Sequence, residues 1–224
     1  MNTTTEFSES NLVYLVGTVA EAPVFAHEVM GEGFYELKLA VQRLSDSTDI
    51  LPVTISERLM TGRDMHVGTQ LSLEGQFRSY NKPDGGRSRL MLTVFVRELI
   101  DADTGRNPNT IELTGYLCKP PVYRTTPFKR EISDLLLAVN RAYNKSDYIP
   151  CICWGRNARY AKDLRVGARV TVSGRIQSRE YQKRTEDGGA VTKTAFEVSV
   201  SKVSGEPLDD AMREAAAVIA KENG

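Results

Sequence analysis

The residues with most to offer chemically lie in two stretches. In Tyr148-Ile-Pro-Cys-Ile-Cys-Trp154, alternation along an extended segment separates Tyr148, Ile152 and Trp154 from Cys151 and Cys153. The thiols suit a crowded interior, which sends the two large aromatics outward, where rings are costly to leave in water without a partner. From Arg169 to Lys183, Val170, Val172 and Ile176 share one parity, while Arg169, Arg175, Gln177, Arg179, Tyr181 and Lys183 share the other. Arg141 and Tyr143 end another alternating segment and are expected to join that outward surface, with Arg156 just beyond Trp154. Cations interleaved with rings suit sequence-tolerant capture of a single nucleic-acid strand. The cations follow phosphates and the rings stack on bases, each base contributing about 1–3 kcal/mol. Taken singly, Trp154 could be a core residue and each tyrosine an amphipathic surface residue. Their coincidence on one face favours binding over packing. Phe128, with Lys129 and Arg130, either touches such a strand or covers one end of the fold.

Other chemistry finds little support. No phosphate-binding glycine loop, nucleophile elbow or paired-histidine site is present, and the carboxylates form no metal constellation, so an enzyme is not expected. Cys118, Cys151 and Cys153 are an odd set without a disulfide framework, and the only histidines, His27 and His66, lie far away in the other half. The cysteines read as reduced core thiols, and neither metal nor cofactor is expected. No apolar run is long enough to span a membrane, and the first ten residues are polar and acidic, so a cytosolic location is expected.

The 224 residues carry no net charge, but the charge is segregated. Between Asn109 and Ser204, 17 Lys and Arg stand against 9 Asp and Glu, an excess of +8, whereas Asn11 to Glu98 holds 9 against 11, or −2. A basic half is a pointer to a polyanion.

The two halves are copies. Asn11-Leu-Val-Tyr-Leu-Val-Gly17 lies over Asn109-Thr-Ile-Glu-Leu-Thr-Gly115 at an offset of 98, which also superposes Leu39-Ala-Val41 on Leu137-Ala-Val139, Arg43 on Arg141 and Asp49 on Asp147. The offset becomes 99 at Gly75 and Gly174, and 103 at the Asp84-Gly-Gly86 and Asp187-Gly-Gly189 segments, so insertions fall in loops. Each copy shows five short alternating segments, in the first Leu12 to Val19, Leu37 to Val41, Leu51 to Ile55, Leu71 to Phe77 and Leu90 to Val96. A helix is expected between the third and fourth, over Arg58 to Met65 and again over Arg156 to Leu164, and the Asp-Gly-Gly segments are expected at hairpin tips. The pattern predicts a mainly all-β chain of two tandem five-stranded OB-fold Greek-key barrels, each with one short helix. The first barrel is expected over residues 1–104, a Pro108-containing linker over 105–109, the second barrel over 109–204, and a helical tail over 205–224 that packs on a barrel or docks a partner.

Four motifs of the second copy, Asn109-Thr-Ile-Glu-Leu-Thr-Gly115, Leu137-Ala-Val-Asn-Arg141, Asp147-Tyr-Ile-Pro-Cys-Ile-Cys-Trp-Gly155 and Val172-Ser-Gly-Arg-Ile-Gln-Ser-Arg179, resemble bacterial single-stranded DNA-binding protein. The first copy resembles it more faintly through Asn11 to Gly17, Leu39 to Arg43 and Glu74 to Tyr80. The resemblance implies sequence-independent binding of single-stranded DNA in replication, recombination or repair, in a bacterial cytosol or nucleoid. It places stacking aromatics at Tyr143, Tyr148, Trp154 and Tyr181. In the first copy it lands on Ser45, Ile50, Ser56 and approximately Tyr80, of which only Tyr80 can stack, so that barrel is expected to serve assembly or a weaker stretch of DNA. By analogy with one-barrel tetramers, the chain is expected to form a homodimer with four barrels. The ending Ala-Lys-Glu-Asn-Gly224 lacks the family's acidic docking peptide, leaving recruitment of replication or repair proteins by that route open. A second reading, an accessory module whose Tyr148 and Trp154 face grips a protein, predicts DNA affinity insensitive to those rings.

Overall fold

Alternating apolar residues in both halves fold as strands. In the computed structural model, which describes residues 10–84, 87–184 and 189–206, the first repeat forms β1 (Asn11–Val29), β2 (Glu32–Gln42), β3 (Thr48–Ser56), α1 (Glu57–Met60), β4 (Gln70–Asp84) and β5 (Arg87–Leu99). The second forms β6 (Asn109–Leu117), β7 (Val122–Thr125), β8 (Glu131–Arg141), β9 (Lys145–Trp154), α2 (Arg156–Ala161), β10 (Arg169–Arg184) and β11 (Ala190–Glu206). Strand order is β2-β3-β5-β4-β1 in the first, closed by β1 on β2, and β6-β10-β11-β9-β8 in the second, closed by β6 on β8. These are the two predicted barrels. The expected tail helix and the Asp-Gly-Gly tips at 85–86 and 185–188 lie outside the described residues.

The helices are shorter than expected: α1 has one turn and α2 six residues. The strands are longer. Continued alternation carries β1 past Pro23 to Val29, paired with β2 through Phe25 and Tyr35, and the matching part of the second repeat is the separate strand β7, paired with β8. The segment before Phe128 is thus a strand rather than a loop, with Phe128 exposed between β7 and β8.

Closure uses the same chemistry twice. Thr18 pairs with Ala40 and Tyr116 with Ala138, in register 98 residues apart. A Cβ on Gly17 or Gly115 would stand 2.6 Å from the carbonyl oxygen of Ala40 or Ala138, so only glycine lets these strands cross so closely. Gly115→Ala is therefore expected to cost about 1–3 kcal/mol through overpacking, seen as a lowered melting temperature by circular dichroism.

A second pair of contacts fixes the fourth strand of each repeat. The Asn11 side-chain amide donates to the Phe77 carbonyl (2.8 Å) and accepts from the Phe77 N–H (2.9 Å). Asn109 does the same with Ile176, at 2.7 and 2.9 Å. These bonds equate Phe77 with Ile176, an offset of 99, and hence Tyr80 with Arg179 rather than with Tyr181.

The chain packs as two compact units that do not follow the repeats. One holds residues 11–111 together with 174–199; the other, among the described residues, holds Ser10, 112–173 and 200–206. In the first unit the core is Leu15, Leu39, Leu51, Val53, Ile55, Leu73, Phe77 and Val94, all essentially sealed from solvent. Asp103 bonds the Tyr14 hydroxyl through its N–H (3.1 Å), and the Arg106 guanidinium lies 3.9 Å over the Tyr14 ring, so the inter-repeat segment is pinned rather than loose. Asp49, fully buried, accepts two bonds from Arg43 (2.6 and 2.7 Å) and two from Ser178, by its N–H (2.7 Å) and its hydroxyl (3.0 Å). Burial alone would raise the Asp49 carboxyl; the Arg43 and Ser178 bonds reverse this and hold it below the usual carboxylate range. The other unit buries Leu113, Leu117, Leu135, Leu137, Val139, Ile149, Cys151 and Cys153, with Ala158 and Ala161 of α2 closing one side.

Candidate nucleic-acid interface

In β9, Ile149, Cys151 and Cys153 point into the barrel, opposite Leu137, Leu135 and Ser133 of β8. The alternate residues face out. Tyr148 stands opposite Ala138 and is 46% exposed; Trp154 stands opposite Ile132 and is 36% exposed. Both predicted rings therefore open onto the outer face of the β8–β9 pair. Ile152, expected beside them, is buried instead: its outward parity holds, but the sheet's outer surface is covered there. The Cys153 thiol is pushed up to about 12, first by burial and then by the Asp134 charge, so it remains a protonated core group.

The turn after Trp154 aims the chain away from the sheet. Gly155 adopts φ +52°, its N–H bonds the Glu131 carbonyl at 2.9 Å, and α2 starts at once with Arg156, exposed in its first turn. Arg159 of α2 pairs with Glu131, which also accepts from the Tyr123 hydroxyl, tying α2, β8 and β7 together.

Tyr143 departs from its predicted place. It sits in the tip between β8 and β9, 95% exposed, with φ +62°, followed by Asn144 at +54°. Asparagine tolerates such a left-handed turn; tyrosine is strained in it. Arg141 does not join the outer surface. Its position shares the inward parity of Leu137 and Val139, and its guanidinium pairs with buried Asp147 at 3.3 Å, the counterpart of Arg43 with Asp49. Arg141 therefore neutralises an interior charge rather than presenting a cation to a phosphate.

Sequence reasoning missed Arg124. It pairs in register with Ile132, Trp154's other-strand partner, and bonds the Asp134 carboxylate through Nε (3.1 Å) and Nη2 (2.9 Å). The strand pattern of Val122 to Thr125 was the available signal, hidden by Pro120 and Pro121 just before it.

The remaining predicted residues of the second repeat lie on β10. Ile176 points inward; Arg175, Arg179 and Tyr181 point outward, Tyr181 38% exposed with the Arg179 guanidinium 6.0 Å from its ring. Gln177 shares their parity but is buried, donating to Glu197 at 2.9 Å; Glu197 also accepts from Arg179 at 3.4 Å. Arg175 donates to Gln177 at 3.1 Å. The Lys183 side chain lies outside those described. Tyr80, in the first repeat, is 38% exposed and donates to Glu36 at 3.0 Å, its hydroxyl pushed up to about 12 by burial and then by the Glu36 charge. Among the described residues, no cluster of His, Cys, Asp and Glu could hold a metal ion. No described helix is long and apolar enough to cross a membrane.

A β barrel with rings and guanidinium groups on its outer strands can be compared with known proteins. Residues 108–205 match the Single-strand binding protein family. Single-stranded DNA-binding protein 3 of Streptococcus agalactiae is 32% identical over 96 residues, which are 40% of this chain and 70% of that protein. The chain belongs to the single-strand binding protein family. Single-stranded DNA-binding protein 1 of Staphylococcus aureus is 36% identical over 83 residues, 34% of this chain and 50% of that protein. The chain spans about half the length of several such curated family relatives. The family fold extends over both repeats: the crystal structure of the single-stranded DNA binding protein from Thermus aquaticus matches with TM-score 0.69 and 21% identity, covering 89% of this chain and 94% of that one.

Proposed function

We propose that this chain binds single-stranded DNA without sequence preference and coats it during replication, recombination or repair, with Tyr148 and Trp154 stacking on bases. The observation that carries the reading is the pair of exposed rings on the outer face of β9, where a closed barrel gains nothing by leaving them in water. Tyr143 supports it, since a turn selected for stability alone would place Gly or Asn at φ +62°. Arg156, Arg175, Arg179 and Lys183 supply charge for phosphates, and Tyr181 a further ring, so the basic second repeat carries most of the contacts. On this reading residues 1–104 and 109–204 act as two barrels of one cytosolic binding protein. Two chains associate to bring four barrels together.

Trp154 is the only tryptophan, so its fluorescence reports on the proposed surface directly. Titration with oligo-dT at micromolar protein should quench it, and the affinity should fall steeply as salt rises, because phosphate neutralisation releases counterions. Absence of both quenching and salt-sensitive binding would reject the proposal.

A further inference from the structure

Ser178 of β10 is held by side chains of the first repeat. Asp49, on β3 opposite Val41 of β2, accepts from the Ser178 N–H (2.7 Å) and from its hydroxyl (3.0 Å) through one carboxylate oxygen. Arg43 opens the β2–β3 turn, which its own N–H closes on the Ser47 carbonyl (2.9 Å). Its guanidinium bonds both Asp49 oxygens and brings Nη2 to 3.4 Å from the Ser178 carbonyl. Both main-chain groups of one residue are thus taken by a pair of side chains, much as Asn109 takes those of Ile176 two residues earlier. Asn109 belongs to the same copy as β10. Arg43 and Asp49 belong to the other.

The grip falls at the root of a ribbon. Ile176 and Gln177 are buried, Ser178 is half-buried, and Arg179 to Gln182 are exposed. Beyond Ser178, Arg179 reaches Glu197 of β11 and Gln182 reaches Thr192 of β11 (2.8 Å). A two-stranded ribbon is marginally stable by itself, so the bonds at its root decide how it is aimed. Ser178 shares the inward parity of Ile176, whereas Arg179 and Tyr181 have the opposite parity. Bonds on the inward side therefore fix the rotation of the ribbon about its own axis and leave the side of Arg179 and Tyr181 open to solvent. The first repeat carries no ring at Ser45, Ile50 or Ser56, yet it has Arg43 and Asp49 where the second has Arg141 and Asp147. Asp49 is sealed from solvent. A buried ion pair adds little net stability over apolar packing, so a defined geometry is what such a pair is suited to supply.

We propose that Arg43 and Asp49 are positioning residues for strand binding: by gripping Ser178 they hold the β10–β11 ribbon so that it presents Arg179 and Tyr181 to DNA. The first repeat thereby acts through residues of the second. The ligand rests on the function proposed above; the grip on the ribbon does not.

Two measurements on the full chain test it. Without DNA, Tyr181→Trp combined with Trp154→Phe puts the single tryptophan on the ribbon. Ser178→Ala in that background should lower its steady-state fluorescence anisotropy, and Ser178→Thr, which keeps the hydroxyl, should not. With labelled oligo-dT, Ser178→Ala in the otherwise natural chain should weaken binding by about 3- to 10-fold, the size of one lost hydrogen bond, and Asp49→Asn by at least as much. Both losses should vanish in the background of Arg179→Ala with Tyr181→Ala, whereas general destabilisation would weaken binding equally in either background. Tyr14→Phe removes a hydroxyl bonded by Asp103 in the same packing unit and, as the matched control, should leave affinity unchanged. Ser178→Ala, the milder change, decides alone if Asp49→Asn loses the natural circular dichroism spectrum. An unchanged anisotropy at position 181, an unchanged affinity in Ser178→Ala, or a loss that persists without Arg179 and Tyr181 overturns the grip. Failure of the function proposed above is a different result, the natural chain's Trp154 showing no quenching, and the anisotropy at position 181 is read without DNA.

Discussion

Replacing Tyr148 and Trp154 together by alanine is expected to weaken binding of labelled oligo-dT by about 100-fold, measured by fluorescence anisotropy at fixed salt. The two side chains stand outward on β9, opposite Ala138 and Ile132, so their loss removes the stacking rings, and a far-UV circular dichroism spectrum matching that of the natural chain checks that the barrel survives the truncation. The dependence of affinity on salt should keep its slope, since neither residue meets a phosphate. Arg179→Ala should do the reverse, giving a smaller loss with a slope reduced by about one. Affinity that stays level in the Tyr148 and Trp154 variant would mean the face serves some other partner.

Asp49→Ala is expected to cost about 3 kcal/mol, a fall of roughly 6–12 °C in the melting temperature of the unit that contains it. The carboxylate is sealed from solvent and accepts four bonds; truncation strands the Arg43 guanidinium and two donors of Ser178. The pH dependence has a definite sign. The folded-state pKa lies below the unfolded value, so the carboxylate's contribution is present above about pH 4, the ordinary range for aspartate, and is lost as pH falls through the lower folded value. Asp49→Asn should be less stable than the natural chain at neutral pH, and the gap should narrow in acid. A gap constant between pH 7 and pH 2 would show that Asp49 is not the titrating group.

Much of this architecture was legible in the residues. Alternation exposes inward and outward sides with little ambiguity, so Cys151 and Cys153 could be assigned to the interior and Tyr148 and Trp154 to the exterior. The repeat offset located Gly17 and Gly115 at the same crossing. What parity cannot report is the lateral environment. Ile152 and Gln177 have outward parity and are nonetheless covered, because coverage depends on neighbours distant in sequence. Arg141 was misplaced because a strand end can follow either face, and the buried charge of Asp147 decided which.

The bonds from Ser178 to Asp49 bear on how the molecule could be divided. The segment most easily severed in sequence, around Gly105 to Asn109, separates the two copies, yet severing it parts an interior acid from the donors that keep it soluble within the protein. Each of β10 and β11 passes from one packing unit to the other along an unbroken backbone, at Ser173 and Gly174 and again at Ser199 and Val200. The two copies are thus interdependent, since Asp49 of the first loses the Ser178 donors of the second when either is expressed alone.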